Sequence, residues 1–456
     1  MAFSSPAMKP SDSPYLSIVA ASRNDEHGGD PLRRTQIFIN ALFAQCQKHR
    51  LPAELILVDW NPPAERPRLE GALDFSLSNE YCAPRVIVVP PVIHQQLEYG
   101  DKLPFFQMIA KNVGIRHARG RFVLATNIDI LFSDELMAYL ATQRLNPRRL
   151  YRVNRYDVAN AVPVEVPAQL SFCWNNLIRV HKRRQTLPVC SDTSRPCGTA
   201  SDEADILKKA GPWQRRQRDG AVEYTVLERD APPEYAHTNA CGDFTLLSRE
   251  HWHRLRGYAE FEAFSFHIDS MFCYVAHYSG ALETVLAPPC VIFHIEHSIG
   301  SGWSPEGHGL LFDRLEKAGI PSLENGQLHE WGQILRAREE PLIFNGNAWG
   351  LGQFALKNLP TQGARRAVMA VQPDFGSSRR QDFYAVGSLR RELSFHKLQA
   401  EYLRRENQRL QKELKKAQTG LFGWWRKTSA RWRRSYEKRT ARLQHLLNNL
   451  KGKRHA

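Results

Sequence analysis

The chain has no apolar run of the roughly 18 residues or more that would cross a bilayer as a helix, so no membrane span is expected. Its first 14 residues are rich in Ser and Pro and lack an apolar core, so no secretory leader is read there and this stretch is expected to be disordered. The eight cysteines show neither C-x-x-C nor metal-knuckle spacing, which argues against a structural zinc site. Most stand in apolar surroundings, as Cys173 and Cys273 do, and read as reduced and buried in a cytoplasmic protein. Cys190 and Cys197 lie in a polar stretch and would pair only in an oxidising compartment. The body also lacks net charge. Between Arg390 and Ala456 there are 20 Lys/Arg against 5 Asp/Glu, which leaves 42 basic and 42 acidic residues in the rest of the chain. The net charge of +15 therefore belongs to the tail, and no specific nucleic-acid partner is expected for the body.

What the chain does have is an alternation of buried strands and amphipathic helices. Residues 15–21 read as a first strand that opens into a polar loop at 22–29, followed by a helix over 32–48. Residues 54–60 and 85–89 are two further strands, each stopped by Pro-Pro. A helix over 104–117 precedes a fourth strand at 122–125. This order predicts an α/β fold with a doubly wound, mainly parallel sheet flanked by helices. Beyond it, strands are expected at 150–158, 243–248 and 286–294, with a short helix at 249–256 and mixed helix and loop over 324–359. Residues 188–233 are polar and punctuated, and read as an insertion or loop.

The resulting division is a disordered 1–14, a globular domain at 15–360 with halves 15–135 and 136–360, a linker at 361–388, a coiled coil at 389–417 and a basic amphipathic helical tail at 418–456. Leu389, His396, Leu403 and Leu410 recur every seven residues, with Leu393, Ala400, Asn407 and Leu414 as the companion row, which predicts a homodimer through the coiled coil. In the tail, Leu421, Trp425, Trp432, Tyr436, Leu443, Leu447 and Leu450 share one helical face opposite a basic one, a pattern suited to an anionic membrane surface.

The chemistry concentrates at the end of the fourth strand, where Gly120-Arg-Phe-Val-Leu-Ala-Thr-Asn-Ile-Asp129 places Asn127 and Asp129 at the tip. Ligands of open α/β sheets bind at such tips. Oxygen ligands of this kind suit a hard divalent cation, Mn²⁺ or Mg²⁺, and such a cation suits a diphosphate. The competing reading of Asp129 is a cap for a helix that begins near Ser133.

Taken in order, residues 17–24, 54–59, Lys111-Asn-Val-Gly-Ile-Arg-His-Ala-Arg-Gly120 and Thr126-Asn-Ile-Asp129 resemble the nucleotide-sugar half of family-2-like glycosyltransferases with the A-type (GT-A) fold. The second half, with Asn239-Ala-Cys-Gly-Asp243, Trp252, Leu255-Arg-Gly-Tyr258, His267-Ile-Asp-Ser270 and Val291-Ile-Phe-His-Ile-Glu-His297, is similar to galactosyltransferase-type enzymes. The resemblance implies that Arg23, Asp25, Asp59, Lys102, Lys111 and Asn112 meet the nucleotide and its phosphates. It implies that Asp129 is the main metal ligand, with Asn127 weaker because it replaces an acid, and that His294 or His297 completes the site. Asp269 is then the base that activates an acceptor hydroxyl, and Asp243 holds that hydroxyl or competes for the base role. The competing reading of Asp269 is a helix cap or a partner for a histidine. The implied activity is an inverting transfer of a sugar from a nucleoside diphosphate, UDP in the first place, to a glycan acceptor in surface polysaccharide or glycoconjugate synthesis, by a cytoplasmic enzyme peripheral to the inner face of the cell membrane. The rivals are a nucleotidyltransferase or diphosphate hydrolase, and a catalytically degenerate GT-A scaffold assembled through its coiled coil.

Overall fold

The computed structural model describes residues 13–26, 29–183, 186–189, 236–297, 308–338 and 340–360, with three short strands between 216 and 230. Contacts divide the chain at 367/368, and every described residue lies in the first unit. The expected disordered start up to residue 12, the linker, the coiled coil and the basic tail all lie outside the described residues, as do Cys190 and Cys197. No described helix is long and apolar enough to cross a membrane. The six cysteines among the described residues are free and buried.

The first half follows the alternation in the sequence. Strand β1 (Leu16–Ser22) leads to helix α1 (Pro31–His49), then β2 (Ala53–Trp60), β3 (Cys82–Val89), α2 (Gln107–Arg116) and β4 (Phe122–Ala125). Asp30 caps α1 by accepting from the Arg33 amide, Pro31 occupies its first turn, and Arg50 ends it in a left-handed conformation. β1 and β2 are buried along their whole length, as strands covered on both faces must be. α2 lies close over them because it carries Gly114, where a Cβ would fall 2.4 Å from Val19 Cγ1.

The second half continues with β5 (Ile130–Phe132), α3 (Asp134–Ala141), β6 (Arg149–Arg152), β7 (Asn154–Val158), α4 (Val166–Asn175), β8 (Leu177–His181) and β9 (Thr186–Pro188). Then come β10 (Arg216–Arg218), β11 (Ala221–Glu223), β12 (Glu228–Asp230), β13 (Thr245–Ser248), α5 (Arg249–Leu255), α6 (Ile268–Tyr278), β14 (Leu282–Leu286), β15 (Val291–Ile295), α7 (His308–Lys317), α8 (Asn325–Ala337) and β16 (Lys357–Pro360).

The main sheet runs β12-β14-β6-β13-β4-β1-β2-β3-β16. The fold is α/β as expected, but "mainly parallel" does not hold for the whole sheet: parallel pairing is confined to the β3-β2-β1-β4 block and the β14-β6 pair. Four of the eight neighbouring pairs are antiparallel, because β13 lies against β4 in the opposite sense and β12 and β16 close the edges the same way. The chain leaves β4 through β5 of a second sheet, β5-β15-β7-β8-β9, returns to the first through helix α3 at β6, in the same sense as β4, and only later enters β13, antiparallel to both.

Two other expectations are corrected. Residues 286–294 are not one strand: Pro288 and Pro289 interrupt the run, and β14 and β15 belong to different sheets. The 188–233 stretch is not wholly loop, since it supplies edge strand β12, antiparallel to β14.

The sheet order creates a switch point. The chain passes outward through β1, β2 and β3, then returns to set β4 on the other side of β1. The carboxyl ends of β1 and β4 are thus adjacent, and Asn127 and Asp129 follow β4 directly.

Asp59, near the end of β2, is fully buried, and its Oδ2 accepts from the Leu69 amide at 3.0 Å. Burial pushes its carboxyl up to about 6, against the opposing Leu69 hydrogen bond. A folded-state value above the unfolded one stabilises the fold below the unfolded value, near pH 4, and that contribution is lost as pH rises through about 6. Asp59→Asn should therefore gain on the wild type by about 2 kcal/mol between pH 4 and pH 7, measured by urea unfolding at both pH values. An unchanged difference between the two proteins would refute this account.

Candidate metal centre and the carboxylates around it

Strand register assembles the centre. β15 pairs antiparallel with β5 so that His294 stands opposite Ile130, and the Ile295 amide donates to the Asp129 carbonyl at 2.9 Å. Asp129, His294 and His297 consequently meet. His297 Nε2 lies 3.3 Å and His294 Nε2 3.9 Å from Asp129 Oδ2, with the two imidazole centroids 5.2 Å apart. One ligand-capable atom from each of the three lies within 4.8 Å of the others. Asp129 Oδ1 is buried with no hydrogen-bond partner, which leaves a carboxylate oxygen open to a cation. A His₂Asp set suits a divalent ion of borderline hardness. Asp129 does not cap a helix: Ser133 does, by accepting from the Leu136 amide.

Burial alone would raise the Asp129 carboxyl. The hydrogen bond from His297, together with the charges of His294, His297 and Arg34, outweighs it and holds the group well below the usual carboxylate range. The Arg34 guanidinium approaches from α1, its Nε 3.9 Å from Asp129 Oδ2. Burial and Arg155 act to lower the His294 imidazole, but Asp157 and Asp129 raise it.

Asn127, expected as the weaker ligand, is hydrogen-bonded through both side-chain heteroatoms. Its Oδ1 accepts from Gln107 Nε2 at 2.9 Å, and its Nδ2 donates to Asp243 Oδ1 at 2.6 Å. The amide is needed there, because an acid at 127 would set two carboxylate oxygens against each other. Asp243 is committed on its other oxygen as well, to Arg155 Nη1 at 2.7 Å. Asp269 sits in the first turn of α6, where its Oδ1 accepts from the Ser270 amide at 2.8 Å and Oδ2 lies against Gly242. A Cβ at Gly242 would fall 2.7 Å from that oxygen, so glycine there is what admits the carboxylate.

Lys111 is fully buried, and its Nζ donates to the Gly242 carbonyl at 2.7 Å. Burial lowers its ammonium, while Asp243, Asp269 and Asp129 favour its charged form. It serves as an internal counter-charge to the three acids.

The remaining nucleotide candidates are engaged elsewhere. Asn112 is fully buried, donating to the Tyr258 carbonyl and Glu260 Oε1 and accepting from the Tyr258 amide. It clamps the turn after α5 rather than facing a ligand. Lys102 is exposed and donates to the Ala318 carbonyl at 3.0 Å. Arg23 and Asp25, in the loop after β1, pair with each other at 2.6 Å, and Arg23 also donates to the Asn61 carbonyl. Asp59 is interior, as described above.

Sequence reading missed a second group of charges. Asp157, on β7, is buried and meets Arg155 Nε at 2.9 Å, Arg179 Nε at 3.0 Å, His181 Nε2 at 2.8 Å and His294 Nδ1 at 3.3 Å. The signal was present: Arg155 and Asp157 alternate in a strand that is otherwise interior, where unpaired charge is costly.

No family model and no curated protein matches this chain. Among solved structures, a crystal structure of GalNAc-T7 with UDP, GalNAc and Mn²⁺ aligns over 70% of this chain and 50% of that chain, at 12% identity and a TM-score of 0.35. The alignment thus spans half the length of that chain.

Asn127→Asp tests the role given to the amide. It should destabilise the protein at pH 7 by about 1–3 kcal/mol, because one of two facing acids must either stay protonated or repel the other. The deficit should shrink as pH falls toward 4, where the raised carboxyl takes up its proton. Denaturant melts of both proteins across that range check it, and equal stability throughout would remove the explanation.

Proposed function

We propose that this chain is a metal-dependent, inverting glycosyltransferase of GT-A type that moves a hexose from a nucleoside diphosphate donor, UDP in the first instance, to a hydroxyl of a glycan acceptor. The observation that carries the reading is the convergence of Asp129, His294 and His297 beside the switch point between β1 and β4, with Asp129 Oδ1 buried and unpartnered. The ordered motifs of the sequence, which resemble the GT-A nucleotide-sugar half, give the reaction class. Asp129, His294 and His297 would hold the ion, which when bound supplies positive charge to the departing diphosphate.

The chain's own groups divide the remaining work. Lys111 keeps the surrounding acids compensated in the interior, so Asp129 stays ionised as a ligand. Asp269 is the base, because Asp243 has one oxygen on Arg155 and the other on Asn127, whereas Asp269 is hydrogen-bonded through Oδ1 to the Ser270 amide of its own helix and its Oδ2 lies beside Gly242. Asp243 then holds position, joining the β4 tip to β7. Attack by a hydroxyl deprotonated on the far face of the anomeric carbon, with departure of the diphosphate, inverts that carbon.

Thermal shift with a panel of nucleotide sugars, with and without Mn²⁺, on wild type and Asp129→Ala is the first check. Metal-dependent stabilisation by one donor, lost in the variant, is expected. A folded wild type that no donor stabilises would instead favour the degenerate scaffold. Once a donor is known, Asp269→Asn should lower kcat by about 10²–10⁴-fold with donor binding retained, as loss of a general base does. Turnover within threefold of wild type would pass the base role to another group.

A further inference from the structure

The charged ladder beside the metal centre has a geometry that the reaction alone does not require. β7 runs parallel to β15 with Asp157 in register with His294, and β8 runs antiparallel to β7 with Arg179 in register with Asp157. Three adjacent strands thus set Arg179, Asp157 and His294 side by side. The His294 ring bridges two carboxylates: Nε2 turns toward Asp129, and Nδ1 lies 3.3 Å from Asp157 Oδ1. Both neighbours are carboxylates and only accept, but Asp157 is the nearer, at 3.3 Å against 3.9 Å, so with a cation on the Nε2 side the proton of a neutral His294 belongs on Nδ1 and the lone pair on Nε2.

Asp157, His294 and Glu296 also come close enough to suggest a second cation position. That position is already served by the protein. The Arg179 guanidinium binds Asp157 through Nε at 3.0 Å and Glu296 through Nη2, and Arg155 adds a second cation at Asp157. The carboxylate is therefore gripped from three sides by Arg155, Arg179 and His181, and its remaining direction is toward His294.

We infer that Asp157 is a positioning residue for the metal centre: its carboxylate fixes His294 in the Nδ1–H tautomer and thereby presents Nε2 to a cation shared with Asp129 and His297. This rests on the metal reading given above. Arg155 ties the arrangement to the catalytic side as well, since its Nη1 holds Asp243 while its Nε holds Asp157. Outer carboxylates that orient histidine ligands act on metal affinity by about 10–100-fold.

The test titrates Mn²⁺ into the full-length protein, following free Mn²⁺ by electron paramagnetic resonance, for wild type, Asp157→Asn, His294→Ala and the double variant. Asp157→Asn should weaken Mn²⁺ binding by about 10–100-fold and change affinity little in the His294→Ala background, because its effect passes through that ring. Equal affinity in wild type and Asp157→Asn, or the same loss in both backgrounds, would overturn the inference while leaving the metal reading intact. A wild type that binds no Mn²⁺ would overturn both. A second measurement needs no variant at position 157: ¹⁵N-histidine spectra of the Mg²⁺-loaded wild type, with His294 assigned by its loss in His294→Ala. These should show the Nδ1–H form, and an Nε2–H form would sink the proposal even if Asp157→Asn failed to fold.

Discussion

Buried charge has to be compensated, and in this molecule that requirement links the two sheets. Asp129, Asp157 and Asp243 are all interior, and each is paired rather than neutralised. The chain of contacts runs from Gln107 through Asn127 to Asp243, across Arg155 to Asp157, and on through His294 to Asp129. Lys111 stands behind it as a dehydrated cation near Asp243 and Asp129, and near Asp269 beside them. In a medium of low dielectric, removing one member leaves another exposed to the full cost of an uncompensated charge. The network therefore acts as a unit: it joins the tip of β4 to the face of the second sheet and holds the histidines where they meet Asp129.

The same requirement accounts for the departure at 127. The motif at the end of β4 has an amide where the resemblance leads one to look for an acid. Asp243 faces that position, and a donor satisfies it while an acid would repel it. The amide is a structural complement to Asp243, so its presence does not by itself count against a working metal centre. Glycine has a comparable part at 242, where a bare backbone lets the Asp269 carboxylate and the Lys111 ammonium approach from different sides.

Much of the first half of the fold was legible in the sequence. Continuous apolar runs marked β1, β2 and β4, helical spacing marked α1, and Pro-Pro marked where β2 and β3 stop. The second half was harder because its strands are short and their partners distant. Periodicity cannot tell which sheet a four- or five-residue strand joins, so 286–294 read as one strand, across the end of β14 and most of β15, and the edge strand at 228–230 read as loop. Candidate site residues separated along the same line. Asp129, His294, His297, Asp243, Asp269 and Lys111 lie in one neighbourhood. Asn112, Asp59 and Lys102 carry suitable groups, but these are spent on a turn, on the 69–72 backbone and on the Ala318 carbonyl.

The sequence by itself determined what depends on local pattern: an α/β domain, the place of its parallel block, and an oxygen-bearing strand tip suited to a cation. It also contained both histidines and the buried acids as residue types. Only the tertiary structure decided which of them meet. Cross-strand register, a relation between segments more than a hundred residues apart, sets His294 beside both Ile130 and Asp157. A shift of one residue would turn the imidazole to the other face of its sheet. Side-chain chemistry is written residue by residue, but the pairing that turns it into a site is a property of the folded sheets.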